Sequence, residues 1–102
     1  MIVIGRIMEN NGAAYPSIKS MINKPIRNKK AVLDYMKRAK VVAASPAILI
    51  DVISNRPINS ELLCYSDGKY GWRSDVIYYV DKYDMQLPDE FIDHALRGGA
   101  RA

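Results

Sequence analysis

The run Cys64-Tyr65-Ser66-Asp67-Gly68-Lys69-Tyr70-Gly71-Trp72 constrains the fold of this chain more than any other stretch, because it sets an Asp-Gly pair between short aromatic and apolar segments. Asp-Gly in that setting is the strongest short-range signal for a β-hairpin: both central residues of a type I′ turn need positive φ. With Asp67 and Gly68 at the centre, Ser66 pairs with Lys69, Tyr65 with Tyr70, Cys64 with Gly71 and Leu63 with Trp72. Alternation then puts Leu63, Tyr65, Tyr70 and Trp72 on one face and Leu62, Cys64, Ser66, Lys69, Gly71 and Arg73 on the other. Aromatic cross-strand neighbours stabilise a hairpin by about 0.2–1 kcal/mol per pair. Folding alone therefore accounts for the rings, and they are read as core.

Upstream, Val41 to Ser54 is preceded by a helical stripe: Val32, Met36 and Ala39 at i, i+4 and i+7, with Leu33 beside them and Asn28 as N-cap. Lys40–Ala44 and Ile48–Ile53 are β-branched runs separated by Ser45-Pro46, which reads as two strands or one strand with a break. "SNRPINS" reads as a turn-rich connection into the hairpin. After it, Ser74 caps a helix with Val76, Tyr79, Val80 and Tyr83 inward and Tyr78, Asp81, Lys82 and Asp84 toward solvent. Pro88 opens a third helix, Phe91, Ile92, Ala95 and Leu96 form its apolar face, and Gly98-Gly99 stops it.

These elements predict an α+β fold: a small antiparallel β-meander of three to four strands, with one preceding helix and two C-terminal helices. Residues 26–97 form the expected domain, 98–102 a frayed tail, and 1–25 a flexible arm or short strand. Met8 and Met21 offer alternative starts, so part of that arm is a candidate gene-start artefact.

Chemistry-bearing residues are sparse. The single histidine, His94, stands one helical turn after Glu90, a spacing that suits surface pairing. Cys64 has no cation adjacent in sequence and reads as a small buried hydrophobe. A Cys64/His94 enzyme centre is kept as a further alternative. One Cys and one His are too few for a structural zinc site, and no phosphate-binding glycine motif occurs, so neither metal nor cofactor is expected. With one cysteine and no apolar run approaching 20 residues, the expected location is a reducing cytoplasm, without a membrane span.

Charge is divided unevenly within a net of +4: residues 1–45 carry nine Lys or Arg against Glu9 and Asp34, a net of +7, and residues 46–102 a net of −3. The basic stretch around residues 24–40 makes a small nucleic-acid-binding regulator one alternative. Recognition of that kind usually adds exposed stacking aromatics, and the rings here fall on core stripes.

From Val41 to Leu96 the chain resembles a group of small bacterial proteins of toxin-immunity type, of the contact-dependent growth inhibition kind. "VVAASPAILIDVIS", "SDGKYGW", "DVIYYVDKY" and "LPDEFIDHAL" carry the resemblance. It implies a shared fold and a non-catalytic protein that binds and neutralises a cognate toxin, with no catalytic residues to transfer. For a basic toxin the expected partner-binding residues are Asp75, Tyr78, Asp81, Asp84, Asp89 and Asp93, with Tyr78 as aromatic anchor; an acidic toxin would select Lys29, Lys30, Lys37 and Arg38.

Overall fold

A computed structural model describes residues 2–7 and 12–98. Its elements are β1 (Ile2–Val3), a 3₁₀ turn (Ile18–Ser20), α1 (Lys29–Arg38), β2 (Lys40–Asp51), β3 (Arg56–Ser66), β4 (Tyr70–Arg73), α2 (Ser74–Tyr83) and α3 (Asp89–Leu96). This is the expected α+β arrangement, with one helix before the main strands and two after. The four strands lie in the order β1-β4-β3-β2, and β1 runs parallel to β4, so the sheet is mixed where a purely antiparallel meander was expected.

That parallel strand belongs to the segment read as an arm or short strand. Ile2 N–H donates to Lys69 O and Ile4 N–H to Gly71 O, each at 2.9 Å. Ile4, Ile7 and Ile18 are buried in the same core as the helices. Gly5 makes the entry feasible: its φ is +79°, and a Cβ there would stand 2.5 Å from Val76 Cγ2. Of the tail read at 98–102, residues 99–102 lie outside the described part, as does Met8.

The helical stripes form as their periodicity predicts. Val32, Leu33 and Met36 of α1, Val76, Tyr79 and Val80 of α2, and Phe91, Ile92 and Ala95 of α3 are buried. Two start signals act differently from expectation. Asn28 stands at the N-cap in a left-handed conformation without a side-chain capping bond. Ser74 is the first residue of α2 and caps nothing: its hydroxyl donates to Glu61 O (2.8 Å) and accepts from Leu63 N–H (3.0 Å). It satisfies β3 backbone just where the ladder with β4 has ended.

β2 is one strand, with register irregularities between Val41 and Ala43 and on either side of Ile48, so the broken-strand reading holds. "SNRPINS" is mostly strand: the turn is confined to Val52–Asn55, and Pro57 already pairs with Ile50. In the hairpin the observed partners are Tyr65 with Trp72, Cys64 with Arg73 and Ser66 with Gly71, a correction to the expected register. Asp67 N–H donates to Tyr70 O (3.1 Å), which leaves Gly68 and Lys69 at the tip, with Gly68 at φ +97°. The displacement amounts to two residues along β4. An even slip leaves every side chain on its face, so Tyr70 and Trp72 still point into the core, where both rings meet Phe91 at 5.2 Å between centroids.

Candidate interaction surface and its buried supports

The hairpin displacement has a local cause in the Asp67 carboxylate. Its Oδ1 accepts from the backbone N–H of Lys69 (2.9 Å) and Tyr70 (2.7 Å), so the Lys69 amide that would close a turn centred on Asp67-Gly68 bonds the side chain instead. Its Oδ2 accepts from the Tyr35 hydroxyl (2.5 Å) and from His94 Nε2 (2.8 Å), while Tyr35 Oη lies 3.3 Å from the same nitrogen. One carboxylate thus joins the hairpin tip to α1 and α3. Burial acts to raise the Asp67 pKa, but the bonds from Tyr35, the two amides and His94 outweigh it and the net shift is downward. The Tyr35 phenol moves up, through burial first and then its bond to Asp67.

This geometry corrects the reading of His94 as a surface partner of Glu90. The ring is only 6% exposed, and it packs edge-on against Tyr70 at 5.0 Å and Tyr35 at 6.0 Å. Cys64 stands in a different setting, paired in register with Ala43 and Arg73. Tyr35 and Asp67 were not singled out from sequence, where Asp67 read only as a turn residue.

A second buried carboxylate fastens the opposite end of β3. Asp51, at the end of β2, is 1% exposed. Its Oδ1 accepts from Ile53 N–H (2.8 Å) and Ser54 N–H (3.0 Å), and its Oδ2 from the hydroxyls of Tyr78 (2.6 Å) and Tyr83 (2.7 Å). Tyr79 completes the clasp, donating to Ile50 O and accepting from Val52 N–H, both at 3.1 Å. Burial would raise the Asp51 pKa, but the four hydrogen bonds hold it well below the usual carboxylate range. The bond to Asp51, then burial, pushes Tyr78 up to about 12; burial is the first cause for Tyr79, also up to about 12.

The predicted partner-binding residues disperse accordingly. Tyr78 is half-buried and its hydroxyl serves Asp51, so it is no solvent-facing anchor. Asp75 is buried and ion-paired with Arg73 at 3.0 Å; burial raises its pKa against the pull of that guanidinium, and it presents no charge to an outer face. Asp84 ends α2 in a left-handed conformation and pairs with Lys29 at 2.6 Å. Asp93 pairs with Arg27. Asp81 and Asp89 are exposed. Among the basic candidates Lys29 is spent on Asp84 and the Asp81 carbonyl, whereas Lys30, Lys37 and Arg38 are exposed.

An uncommitted apolar surface lies on the segment read from sequence as two strands or one broken strand. β2 is an edge strand, and Val41, Val42, Ile48 and Ile50 are 44%, 52%, 80% and 42% exposed. Both faces of its first half are open to solvent. Beside it lies a cavity of about 720 Å³ lined by Tyr35, Arg38, Lys40, Val42, Ser66 and Gly68, among others. The signal available in sequence was the absence of any charge from Val41 to Ile50. A buried strand and an uncovered edge share that signature.

Among the described residues no group of three or more His, Cys, Asp or Glu is placed to hold a metal ion, and no helix is long and apolar enough to cross a membrane. No family model, curated protein or solved structure matches the chain.

Proposed function

We propose that this chain is a non-catalytic protein-binding domain of immunity type, which neutralises a cognate bacterial toxin in the cytoplasm by covering it. The observation that carries this reading is the apolar edge strand β2, whose exposed Val41, Val42, Ile48 and Ile50 have no covering element among the described residues. Several large apolar side chains left in water along one edge strand are a common mark of an interaction site. The partner surface shifts with it, from the acidic helical face to β2 and the exposed Lys37 and Arg38 that lead into it, with Lys30 exposed at the far end of the same helix, because Asp75, Asp84, Asp93 and Tyr78 are consumed by internal partners. That choice favours a toxin with an acidic rim.

The nucleic-acid alternative gains the exposed cations but no stacking platform, since Tyr70, Trp72 and Phe91 are core. A Cys64/His94 centre is disfavoured by the enclosure of His94 within its contacts to Asp67 and Tyr35.

The test is co-expression with the variable C-terminal domain of a large secreted protein encoded immediately upstream. The expected result is restored growth of cells producing that domain and a co-purifying complex. Growth arrest unchanged by this chain, with no complex, overturns the reading.

A further inference from the structure

We propose that the partner contributes an extended acidic segment, which adds to the outer edge of β2 as a fifth strand running antiparallel, its carboxyl-terminal end seated between Arg38 and Lys40. The proposal rests on the protein-binding reading above and specifies how binding is made.

The backbone supplies the first reason. β2 runs for 12 residues and pairs on one side only, with β3. Every second residue of such an edge offers an N–H and a C=O outward, the template for strand addition. Proteins usually blunt a long edge with charges or inward-turned lysines. Between Val41 and Ile50 this one has neither; Pro46 and the register irregularities after Val41 and on either side of Ile48 interrupt it and leave its backbone otherwise open to a partner.

Charge sets the polarity and the partner. All the cations of the edge gather at its start, where Lys37 and Arg38 end α1 and Lys40 begins β2, while the rest of the edge is neutral up to the buried Asp51 at its end. A second copy of the chain, paired antiparallel, would bring only that Asp51 toward the cations, and its oxygens are already occupied by Ile53, Ser54, Tyr78 and Tyr83. An acidic strand running antiparallel places its last residues beside Arg38 and Lys40.

The cavity supplies specificity. Lys40, Val42 and Ser66 lie on its wall with Arg38, so a side chain of the added strand on that face drops into it. Arg38 is steadied by a bond from Nε to the Asp34 carbonyl at 3.2 Å, and a planar guanidinium suits a carboxylate. Asp67 also lines the cavity, but its oxygens are turned to Tyr35, His94 and two amides, and its side chain is only 9% exposed.

The probe is a synthetic peptide of about ten residues, alternating Thr and Val and ending in two glutamates with a free carboxyl terminus. Its counterpart ends in two lysines and an amide. The acidic peptide is expected to slow hydrogen exchange at Lys40–Ile50 and to bind at least roughly tenfold more tightly than the basic one. The double substitution Arg38→Glu with Lys40→Glu, at exposed positions and with unchanged circular dichroism, is expected to weaken it by a similar factor. No protection of β2, protection elsewhere, or indifference to the charge reversal overturns the proposal. So does sedimentation of the free protein as a dimer with β2 already protected, which would make a second copy the occupant. Toxin protection is scored separately. If Val42→Lys folds and protects cells as well as the original chain, strand addition fails and the immunity reading stands; if the original chain fails to protect, that reading fails and the peptide result still decides strand addition.

Discussion

The two long edges of β3 are treated in opposite ways. Toward β4 and the helices, each end of β3 is fastened by a carboxylate that accepts four hydrogen bonds: Asp51 from Tyr78, Tyr83 and two amides, Asp67 from Tyr35, His94 and two amides. Toward β2 the sheet simply stops, with apolar side chains in water on its last strand. A chain that gives two buried carboxylates four hydrogen bonds each on one side has the means to cover an edge. Leaving β2 bare is the contrast that the functional reading depends on.

The fastened region should be the easier to break. Trp72 is enclosed by Tyr65, Tyr35 and Phe91, and its indole N–H donates to Met36 O at 3.3 Å. Trp72→Ala should cost about 3–5 kcal/mol, the range for a fully buried large ring, read as a lowered denaturant midpoint. Asp51→Ala should follow at about 2–4 kcal/mol, because two phenols and two amides lose their acceptor in a buried site. Asp51→Asn, which keeps part of the acceptor capacity, should lose less. If Asp51→Ala unfolded at the same urea concentration as the parent, the clasp would be decoration and the contrast between the edges would lose its energetic meaning.

How much of this was readable beforehand follows from the range of each interaction. The stripes on α1, α2 and α3 were legible because periodicity is local: Val32 with Met36, Val76 with Val80, Phe91 with Ala95. The hairpin was legible as a hairpin and misregistered, since the Asp-Gly signal counts backbone turns and here the Asp67 side chain accepts from the Lys69 and Tyr70 amides. β1 was not readable as a parallel partner of β4, for its Ile2 meets Tyr70 across about two thirds of the chain. The Tyr–Asp supports were missed for a related reason. Tyr35 and His94 stand 59 positions apart, Tyr78 and Asp51 27 apart, and polar residues at such spacing read as solvent-facing until tertiary structure encloses them. The bare face of β2 was hidden by an ambiguity of composition, because Val-Val-Ala-Ala fits an inner strand and an uncovered edge equally well.

The pH response sharpens the comparison by addressing the supports without mutation. The pKa values of Tyr78 and Tyr79 in the folded protein are raised to about 12 from the ordinary phenol value of 10.0. A group raised in the folded state contributes stability that is fully present below its unfolded pKa and is lost as pH rises through the folded one. Stability should therefore decline between pH 10 and 12, followed by circular dichroism. Asp51 and Asp67 are lowered, so their contribution is present above the unfolded carboxylate value near 4 and is lost as pH falls below it. Tyr78→Phe should flatten part of the alkaline limb and shrink, without removing, the share of the acid limb that Asp51 supplies, since Tyr83, Ile53 and Ser54 still bond it, while the share of Asp67 is untouched. An alkaline limb unchanged in that variant would remove Tyr78 from the account.

The smallest expected effect carries the most information about the other edge. Ile48 is 80% exposed, so Ile48→Lys removes little buried area and should change unfolding free energy by no more than about 0.5 kcal/mol, as for an ordinary surface position. Were β2 a covered inner strand, a buried lysine would instead cost several kcal/mol. The lysine should also raise the protein concentration at which aggregates first scatter light, since a charge on a bare edge opposes strand-to-strand pairing. Neutral stability with unchanged solubility would show that the edge, though exposed, attracts nothing, and the difference between the two sides of β3 would then be one of packing without a bearing on binding.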